Sequence, residues 1–324
     1  MPGVELPKSV CRANTVGRAI PSCLVRHTRL NEPEKKTPHM RHDSASWRPS
    51  TCVLILCLLL TNLRVLFADP WADNVLNYVP GSGIQNDFVT GDPFSDASAA
   101  LGEPTRFTSD PENFGGAVTP FQSAFRATEV VTIGEGGQLL VSFDDPVLDD
   151  PNNPFGIDLL IFGNSFLSFV DGSPVTEGGI VEVSQDGTRF VTVTGIEADG
   201  TYPTLGYSDL VEAFPTLAGS VTSDFLKPVD PAFDVNGKSM SEILVGYNGS
   251  GGGAGVDLSS TGLTQISFVR ITNPTGSGQD PEIDALADVN SVPEPSSLPL
   301  TGLALGIWYS RRSAGARPGS RSSK

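Results

Sequence analysis

The chain has 324 residues and a formal net charge of −16 at pH 7, because 37 Asp and Glu outnumber 21 Lys and Arg. Residues 69–291 hold 32 of these acids and only six basic residues, so this part repels nucleic-acid phosphates and anionic lipid head groups and attracts divalent cations. It contains no His and no Cys, which excludes Ser-His-Asp and Cys-His catalysis there, as well as zinc or copper sites with His or Cys ligands.

Residues 1–39 read as an extension without a core of its own. Residues 1–50 contain nine of the 21 Lys and Arg, and their apolar residues follow neither a helical nor a strand period. We expect translation to start at Met40, because a signal segment follows directly after it. Residues 1–39 are then a mis-assigned or disordered extension.

Residues 40–68 have the organisation of a signal peptide. Two arginines, Arg41 and Arg48, precede an apolar run at 52–60, and cleavage is expected after Ala68. The alternative is a single transmembrane anchor over 51–67, for which the run is short, since a relaxed helical span needs about 20 apolar residues.

The body, residues 69–291, consists of short β-type runs separated by Gly, Pro, Asn and Asp. The only helix expected is a short one at 96–101. Strands are predicted at 129–133, 138–143, 157–162, 180–184, 190–194, 242–247, 266–272 and 283–289. About eight strands without a repeat of fixed length predict an all-β jelly-roll β-sandwich, in which the irregular segments 144–156, 197–236 and 248–262 would carry loop function.

Seven acids of the body form the candidate metal ligands. They are Asp144, Asp145, Asp149, Asp158, Asp280, Glu282 and Asp284. The first three fall in the predicted loop 144–156, and the last three are spaced two apart, so that they project to one side of an extended chain. Ca²⁺ takes six to eight oxygen ligands and is the one candidate cofactor. The alternative is that these acids are solvated and keep an exported protein soluble.

Two of these acids, Asp158 and Asp284, stand beside core-like residues, so we expect them to be buried. A buried carboxylate without a partner is costly, which favours a role as a ligand or as the partner of Arg126, Arg189 or Arg270.

Aromatic side chains offer one candidate site for a glycan. Tyr202 and Tyr207 lie in the predicted long loop 197–236 and are the residues expected to contact the glycan. The alternative is that these rings pack the loop onto the body.

The C-terminal segment combines three parts in a fixed order: Val292-Pro293-Glu294-Pro295, an apolar segment at 298–309, and a basic tail at 310–324 that begins with Arg311 and Arg312. This order resembles the PEP-CTERM sorting signal of exported bacterial proteins. The resemblance implies recognition by an exosortase-type processing enzyme, transient anchoring in the inner membrane, and delivery to the cell surface, outer envelope or extracellular matrix.

Three stretches of the body resemble bacterial cell-surface proteins with galactose-binding-like jelly-roll domains. They are 96–104, then 156–166 with 181–187, and finally 268–272 with 282–286. The resemblance implies a fold and a location but no activity. Many relatives have Glu where Gly163 stands in this chain.

Together these observations predict a non-enzymatic, exported protein associated with the cell envelope or extracellular matrix. Ca²⁺ and envelope polysaccharide are its candidate ligands, and nucleic acid is not an expected partner. The alternative is a secreted carbohydrate-active enzyme with an Asp/Glu pair, which would place two acids and several aromatic side chains in one concave site.

Overall fold

The computed structural model describes residues 69–109 and 111–289. The predicted extension at 1–39, the signal segment at 40–68 and the sorting segment at 292–324 lie outside the described residues. Within the described part, no helix has the length and apolar character that crossing a membrane requires. The expectation of an all-β body is confirmed, because the chain forms several antiparallel sheets.

Thirteen strands are present in the described residues. In chain order they are β1 (Asn74–Val79), β2 (Phe107–Thr108), β3 (Gly116–Ala117), β4 (Val131–Thr132), β5 (Gln138–Leu148), β6 (Leu159–Gly163), β7 (Phe166–Leu167), β8 (Pro174–Val175), β9 (Ile180–Ser184), β10 (Val191–Thr192), β11 (Ala254–Val256), β12 (Gln265–Thr272) and β13 (Glu282–Asp288). The helices are α1 (Met240–Tyr247) and four 3₁₀ turns, Ala97–Ala100, Pro111–Asn113, Pro154–Gly156 and Leu258–Thr261.

Two larger antiparallel sheets form the centre of the fold. One has the strand order β1-β5-β12-β9-β10 and the other β11-β6-β13-β4, while β2-β3 and β7-β8 form separate two-stranded ladders. Alternate residues of both sheets enter one hydrophobic core, for example Leu139 and Val141 from β5 and Leu159 and Ile161 from β6. The period of two along each strand therefore directs the apolar side chains of the two sheets towards each other.

Strand β6 is buried on both faces, as its uninterrupted apolar sequence predicts. Its residues Leu160 and Phe162 point away from the shared core and are covered by Phe225 from the long loop between β10 and α1. The Phe162 and Phe225 rings meet edge to face, with centroids 5.2 Å apart. The outer face of the sheet that contains β6 is thus covered by a loop and is not exposed to solvent at these residues.

The predicted strand at 242–247 is wrong, because these residues belong to helix α1. Ser239 accepts a hydrogen bond from the Glu242 amide while the Glu242 side chain accepts one from the Ser239 amide, which forms a capping box. Met240, Ile243 and Tyr247 follow a helical spacing and are buried. Tertiary packing of this face outweighs the preference of the β-branched residues for a strand.

Most other strand predictions agree with the structure within a few residues. The strand at 180–184 coincides with β9, and those at 266–272 and 283–289 differ from β12 and β13 by one residue at their ends. Strands β1 and β11 and the short strands β2, β3, β7 and β8 were not predicted. Strand β5 continues to Leu148, so the loop expected from residue 144 begins after that residue.

Candidate functional site

Three carboxylates converge at one edge of the second sheet. Asp149, Asp158 and Asp257 each place one oxygen so that the three oxygens lie within 4.8 Å of one another. Asp149 follows the last residue of β5, Asp158 precedes the first residue of β6, and Asp257 follows the last residue of β11. The site therefore joins the two ends of the β5–β6 connection to the end of β11, which lies about a hundred positions further along the chain.

Strand pairing explains why Asp158 and Asp257 meet. Strands β6 and β11 are antiparallel, with Val256 opposite Leu159, so the residue before β6 lies beside the residue after β11. The Asp158 amide donates to the Val256 carbonyl at 2.8 Å, which continues this ladder by one residue. The third acid is placed by the Asp149 amide, which donates to the Thr264 carbonyl at 3.0 Å.

Asp158 is the fixed centre of the group because it is fully buried. Its Oδ1 accepts from the Asp150 amide at 3.0 Å and from Asn153 Nδ2 at 2.9 Å, and its Oδ2 accepts from the Leu258 amide at 2.9 Å. Burial raises the pKa of Asp158; these hydrogen bonds oppose the rise, and the charge of Asp149 adds to it. The expectation that Asp158 is buried is confirmed, and these three hydrogen bonds come from neutral amide groups rather than from an arginine.

The segment between β5 and β6 is held in an unusual backbone conformation. Phe155 has φ of 61° and Gly156 has φ of 73°, and a bulky residue such as Phe rarely adopts a positive φ. Strain of this kind persists only where the surrounding structure fixes it, and it occurs often at ligand sites. With carboxylates on three segments, the arrangement suits a hard cation that needs several oxygen ligands, completed by carbonyl or water oxygens.

The structure does not bring all predicted metal ligands to this place. Asp144 and Asp145 were expected in a loop but lie within β5, where both are exposed. The Asp144 carboxylate accepts a hydrogen bond from Asn74 Nδ2 at 3.1 Å, so it is engaged with strand β1. Among the predicted acids, only Asp149 and Asp158 belong to the converging group.

The acids of β13 have separate partners. Asp280, Glu282 and Asp284 were expected to project to one side of a regular strand. A register shift between Ile283 and Ala285 interrupts that alternation. Asp284 is 2 % exposed and accepts from the amide and hydroxyl of Thr105, and burial raises the pKa of Asp284 to about 8. Its expected burial is confirmed. Glu282 accepts instead from Thr132 and Asn164.

Glu282 belongs to a second group of acids, with Glu177, Asp199 and Asp280. Burial raises the pKa of Glu282 to about 7, and the charges of Glu177 and Asp280 contribute. Burial and the charges of Glu177 and Glu282 also raise the pKa of Asp199 well above its ordinary value. Asp199 Oδ1 accepts from the Ser165 amide, whereas Oδ2 has no hydrogen-bond partner among the described residues.

Gly163 allows Asp199 to reach this position. A Cβ at residue 163 would lie 2.4 Å from Asp199 Oδ1 and 2.7 Å from the Glu282 carbonyl oxygen. A larger residue therefore does not fit unless one of these groups moves. The carboxylate of Asp199 occupies the space beside Gly163.

The predicted glycan residues are in different surroundings. Tyr202 lines an open cavity of about 760 Å³ together with Phe233 and Glu197, and its hydroxyl donates to the Phe233 carbonyl at 2.9 Å. Its ring lies edge to face with that of Tyr247. Tyr207 does not line this cavity; its backbone bridges to Thr222. Tyr202 therefore packs the long loop while leaving part of its surface in the cavity.

The sequence analysis did not identify Asp257 or Asp199 as site residues. Asp257 is separated from Asp158 by about a hundred positions, and only the pairing of β6 with β11 reveals their proximity. Asp199 follows Ala198 in a segment without a strand period, so nothing in its neighbours indicates burial. The one available signal for Asp257 was its position directly after the apolar pair Gly255-Val256.

No protein-family model matches the chain, and no curated protein matches it.

Proposed function

We propose that this protein is a non-enzymatic, exported jelly-roll β-sandwich of the cell envelope or extracellular matrix, and that one Ca²⁺ ion stabilises it. In this proposal the ion binds between Asp149, Asp158 and Asp257. The segment at 292–324 directs the protein to its location through an exosortase-type enzyme, and envelope polysaccharide is its candidate partner.

The observation that carries the calcium proposal is the convergence of three carboxylate oxygens within 4.8 Å. Three negative charges at this spacing repel one another, and a bound divalent cation removes that repulsion. Because Asp149 and Asp158 lie at the two ends of the β5–β6 connection and Asp257 begins the β11–β12 connection, the ion ties together two connections, each of which runs between the two sheets. A protein without Cys in its body gains in this way a cross-link that needs no disulfide.

The test is a thermal melt of the full-length chain in Ca²⁺, in Mg²⁺ and in EDTA. A ligand that binds only the folded state raises stability by RT ln(1 + [L]/Kd), which is about 2.7 kcal/mol when its concentration is a hundred times Kd. We expect a rise in Tm with Ca²⁺ that Mg²⁺ does not reproduce, because Mg²⁺ demands a stricter octahedral geometry.

Single substitutions locate the site. Asp257→Asn should abolish the calcium-dependent rise while leaving a folded protein, because Asn retains the acceptor oxygen that caps the following 3₁₀ turn. Asp92→Asn is the matched control, since Asp92 is exposed and lies in another loop. Equal calcium shifts in both variants, or no shift in the wild type, would rule out this site.

The polysaccharide part of the proposal rests on the cavity beside Tyr202. Of the described residues that line it, Glu197 is the one acid, so this cavity favours binding over hydrolysis by an Asp/Glu pair. Isothermal titration of envelope polysaccharide fragments into wild type and Tyr202→Ala tests it. Equal heats of binding in the two proteins would exclude this cavity as the binding site.

The sorting part of the proposal rests on the order of motif, apolar segment and basic tail at 292–324. Replacement of Pro293, Glu294 and Pro295 by alanine should retain the protein in the inner-membrane fraction of a host that has an exosortase. Unchanged delivery of this variant to the cell surface would contradict recognition of the motif.

A further inference from the structure

An exposed groove lined by phenylalanine lies apart from the acidic sites. Its volume is about 680 Å³, and it is lined by Phe88, Phe114, Phe121, Phe125, Phe166, Phe169 and Phe214; we call it the Phe groove. Phe114 and Phe169 are each 78 % exposed, Phe88 is 68 % exposed and Phe214 is 54 % exposed. Single apolar residues on a surface are ordinary, but a contiguous apolar concavity marks an interaction site.

Three rings of the groove, those of Phe88, Phe114 and Phe125, pack against one another. Phe88 stacks on Phe125 with centroids 5.3 Å apart and an interplanar angle of 11°, and Phe114 lies against Phe88 at 6.1 Å. Phe114 has φ of 63°, a left-handed conformation that a bulky residue rarely adopts. A strained backbone that presents an aromatic ring to solvent is expected where the ring has a binding role.

Three exposed acids flank phenylalanines of the groove in the sequence, and we call them the acidic rim. They are Glu112, Asp171 and Glu212, each two residues away from a phenylalanine that lines the groove. The segments 111–125, 166–175 and 211–217 contain no Lys or Arg, and Arg126, which follows Phe125, is ion-paired with Asp87 at 2.7 Å. The groove therefore suits an apolar segment that is flanked by positive charge.

The chain itself contains such a segment. Residues 298–309 are mostly apolar and include Trp308, and the basic residues that follow them are Arg311, Arg312, Arg317, Arg321 and Lys324. No acid occurs after Glu294. We propose that the segment 298–309 docks in the Phe groove of its own chain, with the basic tail against the acidic rim. The groove would then shield this segment from water until the segment enters a membrane or meets another partner.

The length of chain permits this contact. The groove lies beyond the end of β6, since Phe166 follows Gly163, and Gly163 pairs with Ile283 at the start of β13. Strand β13 rises by about 3.4 Å per residue, so Val289, six residues after Ile283, lies roughly 20 Å from that end. From Val289 to Leu303, in the middle of the segment, an extended chain reaches about 50 Å.

The experiment places a photo-cross-linking amino acid, p-benzoylphenylalanine, at position 308 of the full-length chain in detergent-free buffer. We expect cross-links within one chain to peptides that contain Phe114 or Phe169, with a yield that is independent of protein concentration. Cross-links only between chains, only to co-purified lipid, only to residues outside the groove, or none at all would overturn the proposal.

Variants keep the result specific. Phe114→Ser and Phe169→Ser remove rings that are exposed in the structure, so both proteins should fold. Each should lower the cross-link yield by about tenfold, since burial of one large apolar side chain changes an association constant by at least that factor. Val245→Ser is the matched control, because Val245 is 80 % exposed on α1. Equal yields in all three variants would also overturn the proposal. Calcium binding at Asp158 is unaffected by either outcome, so the two proposals fail separately.

Discussion

Glu282→Gln should make the protein more stable at neutral pH and leave its stability at low pH unchanged. Glu282 is largely buried, and burial together with the charge of Glu177 raises its pKa from 4.5 to about 7. The folded state therefore binds the proton of Glu282 more tightly than the unfolded chain does. The stability that this proton contributes is fully present below pH 4.5 and is lost as the pH rises to 7.

The expected gain in the free energy of unfolding follows from the raised pKa of Glu282. A pKa difference of about 2.5 units corresponds to a free energy of unfolding on the order of 3 kcal/mol, because each unit is worth about 1.36 kcal/mol. Gln mimics the protonated acid, since its amide NH₂ can donate to the Thr132 hydroxyl and its carbonyl can accept from Asn164. The variant and the wild type should therefore coincide near pH 4 and differ by about this amount at pH 8.

The assay is urea unfolding of both full-length proteins at several pH values between 4 and 8, in EDTA so that no divalent cation contributes. Glu242→Gln is the control with the opposite sign, because hydrogen bonds from Ser239 lower the pKa of Glu242, so its contribution is present above pH 4.5 and is lost as the pH falls. Parallel curves for wild type and Glu282→Gln across this range would refute the assignment of a raised pKa to this carboxylate.

Three further substitutions test a buried ion pair, the space beside Asp199 and the N-cap of α1. Arg126→Ala leaves the carboxylate of Asp87, which is 1 % exposed, without its ion-pair partner, and should lower the free energy of unfolding by about 3–5 kcal/mol in urea. Gly163→Ala forces a Cβ against Asp199 and should cost about 1–3 kcal/mol in the same assay; an unchanged midpoint would show that the space is larger than the backbone indicates. Ser239→Ala removes the N-cap of α1 and should cost about 1 kcal/mol, seen as a lower Tm by circular dichroism.

The strands that the sequence predicts well are those with a clear period of two and a turn signal at their ends. In β9 the alternation of Val181 and Val183 with polar residues ends at Asp186-Gly187, where the chain turns. Strand β1 lacks this pattern, because only Val75 and Tyr78 of its residues are partly buried. Its place in the sheet depends on pairing with β5, which is a tertiary interaction that local alternation does not encode.

The sequence before helix α1 contains a local signal for a helix, although the apolar residues that follow favour a strand equally well. Ser239 and Glu242 have the spacing of a capping box, which predicts a helix start three residues before Ile243. The apolar residues after it also fit a strand, because a run of eight residues is short enough for either structure. The buried positions decide between them, since Met240, Ile243 and Tyr247 share one helical face.

The candidate cation site marks the limit of what residue type and neighbourhood can reveal. Asp158 was recognisable because an acid directly before an uninterrupted apolar strand must either be buried or end the strand. Asp149 was also among the predicted ligands, but the sequence did not separate it from Asp144 and Asp145, which lie elsewhere. Asp257 was missed, because it meets Asp158 only through the antiparallel pairing of β6 and β11. Proximity in such a fold is decided by which strands are neighbours, and that order depends on the summed packing of the whole core. A sequence can therefore nominate the buried member of a polar site, while the sheet topology selects the other members.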